Sequence, residues 1–404
     1  MKKYLLFIPS IFIIACSSNS AEKKENTIPK TCTVFGNIPI YKNDTLLLQK
    51  SNKDLRYDLI AKIPVDSLGN FSYKMDSIKH IEKYELVSSK AHQKGYWVPL
   101  KFYTEQDSIE FNYNGLNFVT KEKNIHVISG KISPKEYSKN AFFEPLFEPF
   151  DKIDNEIDSL YIELTETKDI VQKNKIQPKI DSLKKHYKKL SKEADLKIGK
   201  YYTSHVDLYG YSNLIDILRF PNKYFESNIQ IMESVSFYQK KFPDHPYTEV
   251  SSNMLNGILK AIKGGSFIDL TVENAEGKHI NLKEIVKNNQ YTLIDLWAPW
   301  CGPCIEKSNN MKPVYEKHKN NGFAVFSVMG GISNRDKYDT IVKKHNYPWA
   351  VIPEIKDQYK IWEKYNITGS GGSQFLVDDT GKIIEINPSP ELIDKLIQKN
   401  KIKL

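Results

Sequence analysis

The stretch Trp300-Cys301-Gly302-Pro303-Cys304 closes an apolar run, Tyr291-Thr292-Leu293-Ile294-Asp295-Leu296-Trp297-Ala298-Pro299, and it constrains this chain more than any other segment. A short apolar run stopped by proline reads as a buried strand. Running such a strand straight into two cysteines two residues apart places a dithiol at the mouth of a helix. There the unpaired backbone N–H groups and the helix dipole favour a thiolate. The spacing lets the second sulfur reach back to the first, so a mixed disulfide with a substrate can be resolved within one chain. Redox chemistry at Cys301 and Cys304 is therefore expected.

With 404 residues, the chain has room for two or three domains. Charged residues make up 26% and hydrophobic residues 40%, the makeup of folded soluble protein rather than of a disordered chain. The formal charge is +9, but the lysines are spread among acids and no basic-aromatic motif accompanies them, so no nucleic-acid partner is expected. No cofactor or metal site is expected either.

The N-terminus begins with Lys2 and Lys3, continues almost wholly apolar from Tyr4 to Ile14, and reaches Ala15-Cys16. This is the layout of an export signal, and eleven apolar residues are too few for a permanent membrane span. Ile13-Ile14-Ala15-Cys16 resembles a bacterial lipobox. The resemblance implies cleavage after residue 15 and a diacylglycerol thioether on Cys16. Losing residues 1–15 removes two lysines and leaves a charge of +7. Residues 16–30 read as a polar tether. Cys32, in Thr31-Cys32-Thr33-Val34-Phe35, reads as a small hydrophobe in a strand.

Short β runs separated by turn residues fill 31–132, from Cys32–Phe35 to Ile125–Ile128, which predicts an all-β, antiparallel sandwich or half-barrel. Residues 133–262 change to helix. Ile153, Ile157, Leu160 and Leu164, then Ile176, Ile180, Leu183, Tyr187, Leu190 and Ala194, repeat at spacings of three and four and form a coiled-coil-like seam. Pro178 is tolerated in a first turn but not deep in a regular helix, so a helical hairpin should turn near 168–177. Strands and helices alternate through 263–404, the order of a mixed α/β sheet.

Leu293 to Cys304, with Phe375-Leu376-Val377-Asp378 and Gly381-Lys382-Ile383 downstream, resembles the thioredoxin superfamily and, within it, the TlpA/ResA-like membrane-tethered thiol-disulfide oxidoreductases. No second C-x-x-C completes a four-ligand zinc site. The front half is similar to the β-rich domain of unknown function that precedes thioredoxin modules in envelope lipoproteins of Gram-negative bacteria, on Gly36, Val65-Asp66 and Gly69 with Phe71. The resemblance implies a thioredoxin fold for 263–404. Chemistry at a helix start makes Cys301 the attacking thiolate, with a pKa below the free value of about 8.5, and Cys304 the buried resolving thiol. Asp295, six residues before Cys301, falls where the superfamily places a buried acid that takes the proton of that thiol. Gly302 and Pro303 shape the turn, while Trp297 and Trp300 pack or shield the site.

Two departures from the family stand out. Its cis-proline opposite the dithiol is replaced by Gly372, and the kinking proline of its dithiol helix by Asn309. The expected protein is a periplasm-facing, lipid-anchored member of the cell envelope, placed in the outer membrane because Ser17 carries no acidic retention signal. The Gly-Pro dipeptide favours a reductase of disulfides in other envelope proteins, recharged by a membrane thiol-relay donor. No peroxidatic cysteine motif argues for a peroxidase. The rival expectation is a thioredoxin scaffold that binds a metal ion or a partner protein with little redox turnover.

Overall fold

Cys32 and Val34 of strand β1 (Thr31–Asn37) point into a core while their neighbours face outward, the period-two burial of a half-covered strand. The computed structural model describes residues 28–50, 59–95, 99–113, 125–367 and 371–401. Cys16, the signal segment and most of the tether lie outside these residues. Among the described residues seven further strands follow β1 in the first region: β2 (Thr45–Lys50), β3 (Leu59–Pro64), β4 (Asn70–Asp76), β5 (Lys83–Ser88), β6 (Leu100–Tyr103), β7 (Ser108–Tyr113) and β8 (Ile125–Val127), with a short helix α1 (Ser89–Gln93) after β5. They form two four-stranded sheets, β4-β1-β7-β8 and β3-β2-β5-β6. The sheets share one core, in which the rings of Phe102 and Phe111 meet edge to face at 5.9 Å. The expectation of a purely antiparallel arrangement needs correction, because β1 and β7 pair in parallel. Five strands separate these two in sequence, so no tight hairpin dictates their direction. Cys32 is fully buried in this core, and desolvation pushes its thiol up to about 12.

The helical region comprises α2 (Lys135–Ser138), α3 (Asn140–Glu166), α4 (Ile170–Ser204), α5 (Leu208–Leu218), α6 (Pro221–Tyr224), α7 (Asn228–Lys241) and α8 (Pro246–Lys260). The hairpin turns at 167–169, where the Asp169 carboxylate accepts the Val171 N–H and caps α4. Pro178 therefore sits inside α4, not in its first turn. The flanking Ile176 and Ile180 are buried, and their packing carries the helix past the one backbone bond that proline removes. Tyr209, Tyr211, Tyr238 and Tyr247 fill the region's own core, with Tyr211 and Tyr238 stacked at 5.0 Å.

Buried polar groups clamp the sandwich to the helices. Lys83 of β5 is fully buried, with its ammonium 2.6 Å from Asp216 and 3.9 Å from Glu136, and its backbone N–H donates to the Tyr247 hydroxyl at 2.8 Å. The Glu105 carboxylate accepts the N–H groups of Lys131, Ile132 and Ser133 at the entry to the helices.

In the C-terminal region β9 (Thr271–Glu273) and β10 (His279–Asn281) pair as a small ribbon, and α9 (Leu282–Lys287) leads to β11 (Tyr291–Trp297). Then come α10 (Gly302–His318), β12 (Phe323–Ile332), α11 (Arg335–His345), β13 (Val351–Ile355), α12 (Ile361–Lys364), β14 (Gly372–Asp378), β15 (Ile383–Ile386) and α13 (Pro390–Lys401). The main sheet runs β13-β12-β11-β14-β15, parallel on one side of β11 and antiparallel on the other. All seven residues of β11 are buried. Leu293 and Trp297 join the core under α10, α11 and α13, whereas Ile294 and Leu296 join the core on the opposite face. Asp295 therefore falls on the α10 side by the alternation of the strand.

This domain docks on α8. Asn253 Nδ2 donates to Glu363 Oε1 at 2.6 Å, and Asn366 Nδ2 to the Leu218 carbonyl at 3.3 Å. Gly257 is required for the close approach, since a Cβ there would lie 2.5 Å from the Lys364 carbonyl oxygen. No helix among the described residues is long and apolar enough to cross a membrane.

Candidate active site

The buried strand β11 ends at Trp297, and four residues later Cys301 serves as the N-cap of α10. The Cys304 N–H, in the first turn of the helix, is shared between the Cys301 carbonyl oxygen at 3.1 Å and Cys301 Sγ at 3.3 Å. Such a donor, with the helix dipole behind it, stabilises a thiolate at Cys301 once the pair is reduced. Cys301 and Cys304 are joined as a disulfide with their Cα atoms 5.3 Å apart. Both cysteines are half-buried, and Cys304 packs against the core that holds Trp297 and Met311. Gly302 and Pro303 form the exposed first turn of α10. A Cβ on Gly302 would meet nothing within 4 Å, so no steric demand holds a glycine there.

Asp295 is 1% exposed and receives three donors. Ser308 Oγ donates to Oδ2 at 2.8 Å, Ser327 Oγ to the same oxygen at 3.3 Å, and Gln374 Nε2 to Oδ1 at 3.0 Å. Desolvation holds the carboxyl above the usual aspartate range against the opposing pull of these hydrogen bonds. Sequence reasoning missed all three donors. Ser308 follows Cys304 by four residues on α10, hence on the same face. Ser327 and Gln374 are the direct cross-strand neighbours of Asp295 on β12 and β14. Only the first spacing was visible without the sheet register.

Trp297 is fully buried, and its indole N–H donates to Ser327 Oγ at 2.9 Å, which ties the ring to the group that holds Asp295. Trp300 is half exposed beside Cys301. Asp295, Cys304, Lys307, Gln374 and Asn387 border a cleft of about 20 Å³. That volume admits one water in a cleft that both Cys304 and Asp295 line.

Gly372 pairs with Trp297 at the start of β14, where a Cβ would come 2.0 Å from the Leu296 carbonyl oxygen. The residue against the dithiol is its neighbour Gly371: a Cβ there would stand 2.3 Å from Cys301 Cβ and 2.9 Å from its sulfur. Asn309 lies along α10 with its amide 3.5 Å from His345 Nδ1, and the proline of this helix is Pro313. Among the described residues no cluster of three or more His, Cys, Asp or Glu side chains is suited to a metal.

A parallel-antiparallel sheet with a C-x-x-C pair capping the helix after its central strand decides the fold. The C-terminal domain is thioredoxin-like. Residues 264–386 match the AhpC/TSA family. Over 119 residues the chain is 28% identical to the thiol-disulfide oxidoreductase ResA of Bacillus anthracis, which covers 29% of this chain and 64% of the relative. A thioredoxin from Pyropia yezoensis is 40% identical over 37 residues, 9% of this chain and 35% of that protein. Among solved structures, the thioredoxin domain of a thiol-disulfide oxidoreductase from Bacteroides vulgatus is 23% identical with a TM-score of 0.31, covering 34% of this chain and 97% of that one. The chain thus spans slightly under two thirds of the ResA proteins it matches.

Proposed function

We propose that this protein is a lipid-anchored thiol-disulfide oxidoreductase of the cell envelope that reduces disulfides in other exported proteins. The observation that carries the reading is the Cys301–Cys304 pair at the start of α10 with a buried, triply hydrogen-bonded acid beneath it. In the reduced form the Cys301 thiolate attacks one sulfur of a substrate disulfide. That bond breaks, the departing substrate sulfur takes a proton, and a mixed disulfide to Cys301 remains. The Cys304 thiol then gives its proton to the Asp295 carboxylate through the water-sized cleft and attacks Cys301 Sγ. The second substrate sulfur leaves. Two electrons have passed to the substrate, and the protein holds the Cys301–Cys304 disulfide. A membrane thiol-relay protein would return it to the dithiol. The ResA resemblance supports thiol-disulfide exchange and the Gly-Pro dipeptide the reducing direction; the lipobox-like Ile13-Ile14-Ala15-Cys16 supports the anchor, with Ser17 favouring the outer membrane.

Turnover of insulin disulfides with dithiothreitol, together with the reduction potential of the couple, tests the reading. Catalysis absent in wild type, or unaltered in Cys301→Ser, would discard it. The second reading, a metal- or partner-binding scaffold, draws on Gly371, whose backbone lies directly against Cys301 with no side chain between them. Stable retention of Zn²⁺ or Cu⁺ by the reduced protein, with no insulin turnover, would favour it.

A further inference from the structure

The helices α3 and α4 carry opposite charge. Eight carboxylates and one lysine lie in α3, whereas α4 has ten lysines and three carboxylates. Their mutual contact is apolar: Phe150 packs edge to face on Tyr187 at 4.7 Å, and Ile153, Ile176 and Ile180 are buried. Among the described residues no ion pair joins an acid of residues 148–166 to a lysine of α4; the polar links there are Gln172 to Glu163 and Lys184 to Tyr161. Beyond its base at α2, α5 and α6 the main packing of the hairpin among the described residues is of one helix on the other, for about 25 Å at 1.5 Å per residue over the far half of α3. Its tip leaves Ile162, Ile170 and Val171 58%, 72% and 62% exposed. A charged arm with an apolar end of this kind has the makeup of an interaction surface.

We propose that the hairpin docks on the hairpin of a second copy of this chain to form a four-helix bundle of alternating charge. Charge complementarity selects the partner and the symmetry. A two-fold axis along the hairpins sets the acidic α3 of each copy on the basic α4 of the other, so every helix borders two of opposite charge. An axis across the hairpins would stack like on like. The parallel axis also brings the two tips together and covers Ile162, Ile170 and Val171. This inference stands apart from the dithiol chemistry.

Sedimentation of the full chain carrying Cys16→Ser, in detergent that shields the apolar N-terminus, tests it. A dimer is expected at about 0.1 M salt, weakening at about 1 M as the screening length falls from about 10 Å to about 3 Å. Reversing Lys175, Lys179 and Lys185 to Glu should weaken the dimer by about tenfold or more, as should reversing Asp151, Asp154 and Asp158 to Lys; both sets in one chain should restore it. Far-UV circular dichroism of each variant controls for folding. Three results would overturn the proposal: a monomer at low salt, a dimer indifferent to both reversals, or a monomer that instead co-sediments with phosphatidylglycerol vesicles.

Discussion

Gly371 lies against Cys301 so closely that a Cβ built on it would stand 2.9 Å from the sulfur. That loop position is therefore part of the dithiol's surroundings. Gly371→Val should force the loop off Cys301 and lower insulin reduction by about tenfold or more, a barrier increase of about 1.4 kcal/mol. Gly302→Ala, where a Cβ meets nothing, should leave the rate within about twofold. Equal rates in the two variants would show that contact at Gly371 is irrelevant to turnover.

Removing the resolving sulfur should arrest the reaction half-way. Cys304→Ser is expected to accumulate mixed disulfides on Cys301, detectable as dithiothreitol-sensitive adducts in envelope extracts. Cys301→Ser should give none. An adduct pattern that does not depend on which cysteine is replaced would contradict the assigned roles.

Burial holds the Asp295 carboxyl above its ordinary value of 3.8. The folded chain then keeps a proton that the unfolded chain has released, so stability falls as pH rises from about 4 through the folded pKa. Asp295→Asn cannot ionise. It should be more stable than wild type near pH 8, by on the order of 1 kcal/mol, while resolving mixed disulfides more slowly. Urea midpoints across pH, paired with single-turnover kinetics, read both effects. A variant less stable at high pH would count against a buried charge at this site.

The opposite slope is expected at the sandwich–helix junction. His245 caps α8 by accepting the Tyr247 N–H at Nδ1, which leaves Nε2–H to donate to the Ile81 carbonyl at 3.1 Å. Desolvation holds the ring below its ordinary value of 6.5, so the unfolded chain binds a proton first and stability falls as pH drops below about 6.5. His245→Asn keeps a capping oxygen and should flatten the midpoint's dependence between about pH 7 and pH 5. An unchanged slope would remove His245 as its source.

The order of strands and helices was legible in the chain because alternation and turn residues are local signals, and the first and last described strands of the first region, Thr31–Asn37 and Ile125–Val127, fall on the runs Cys32–Phe35 and Ile125–Ile128. The hairpin turns at 167–169, at the early edge of the span 168–177 that Pro178 suggests in the sequence, because the cap at Asp169 and the buried Ile176 and Ile180 outweigh the backbone bond that proline removes.

From sequence alone came the dithiol, its place at a strand-to-helix junction, the acid six residues upstream and a thioredoxin-like C-terminal domain, since each is written in neighbouring residues. Only the tertiary structure decided what surrounds them. Ser327 and Gln374 reach Asp295 because β12 and β14 lie in one register beside β11, and Gly371 meets Cys301 seventy residues along the chain. Such contacts depend on how strands slide past one another, which long-range packing determines and local pattern does not.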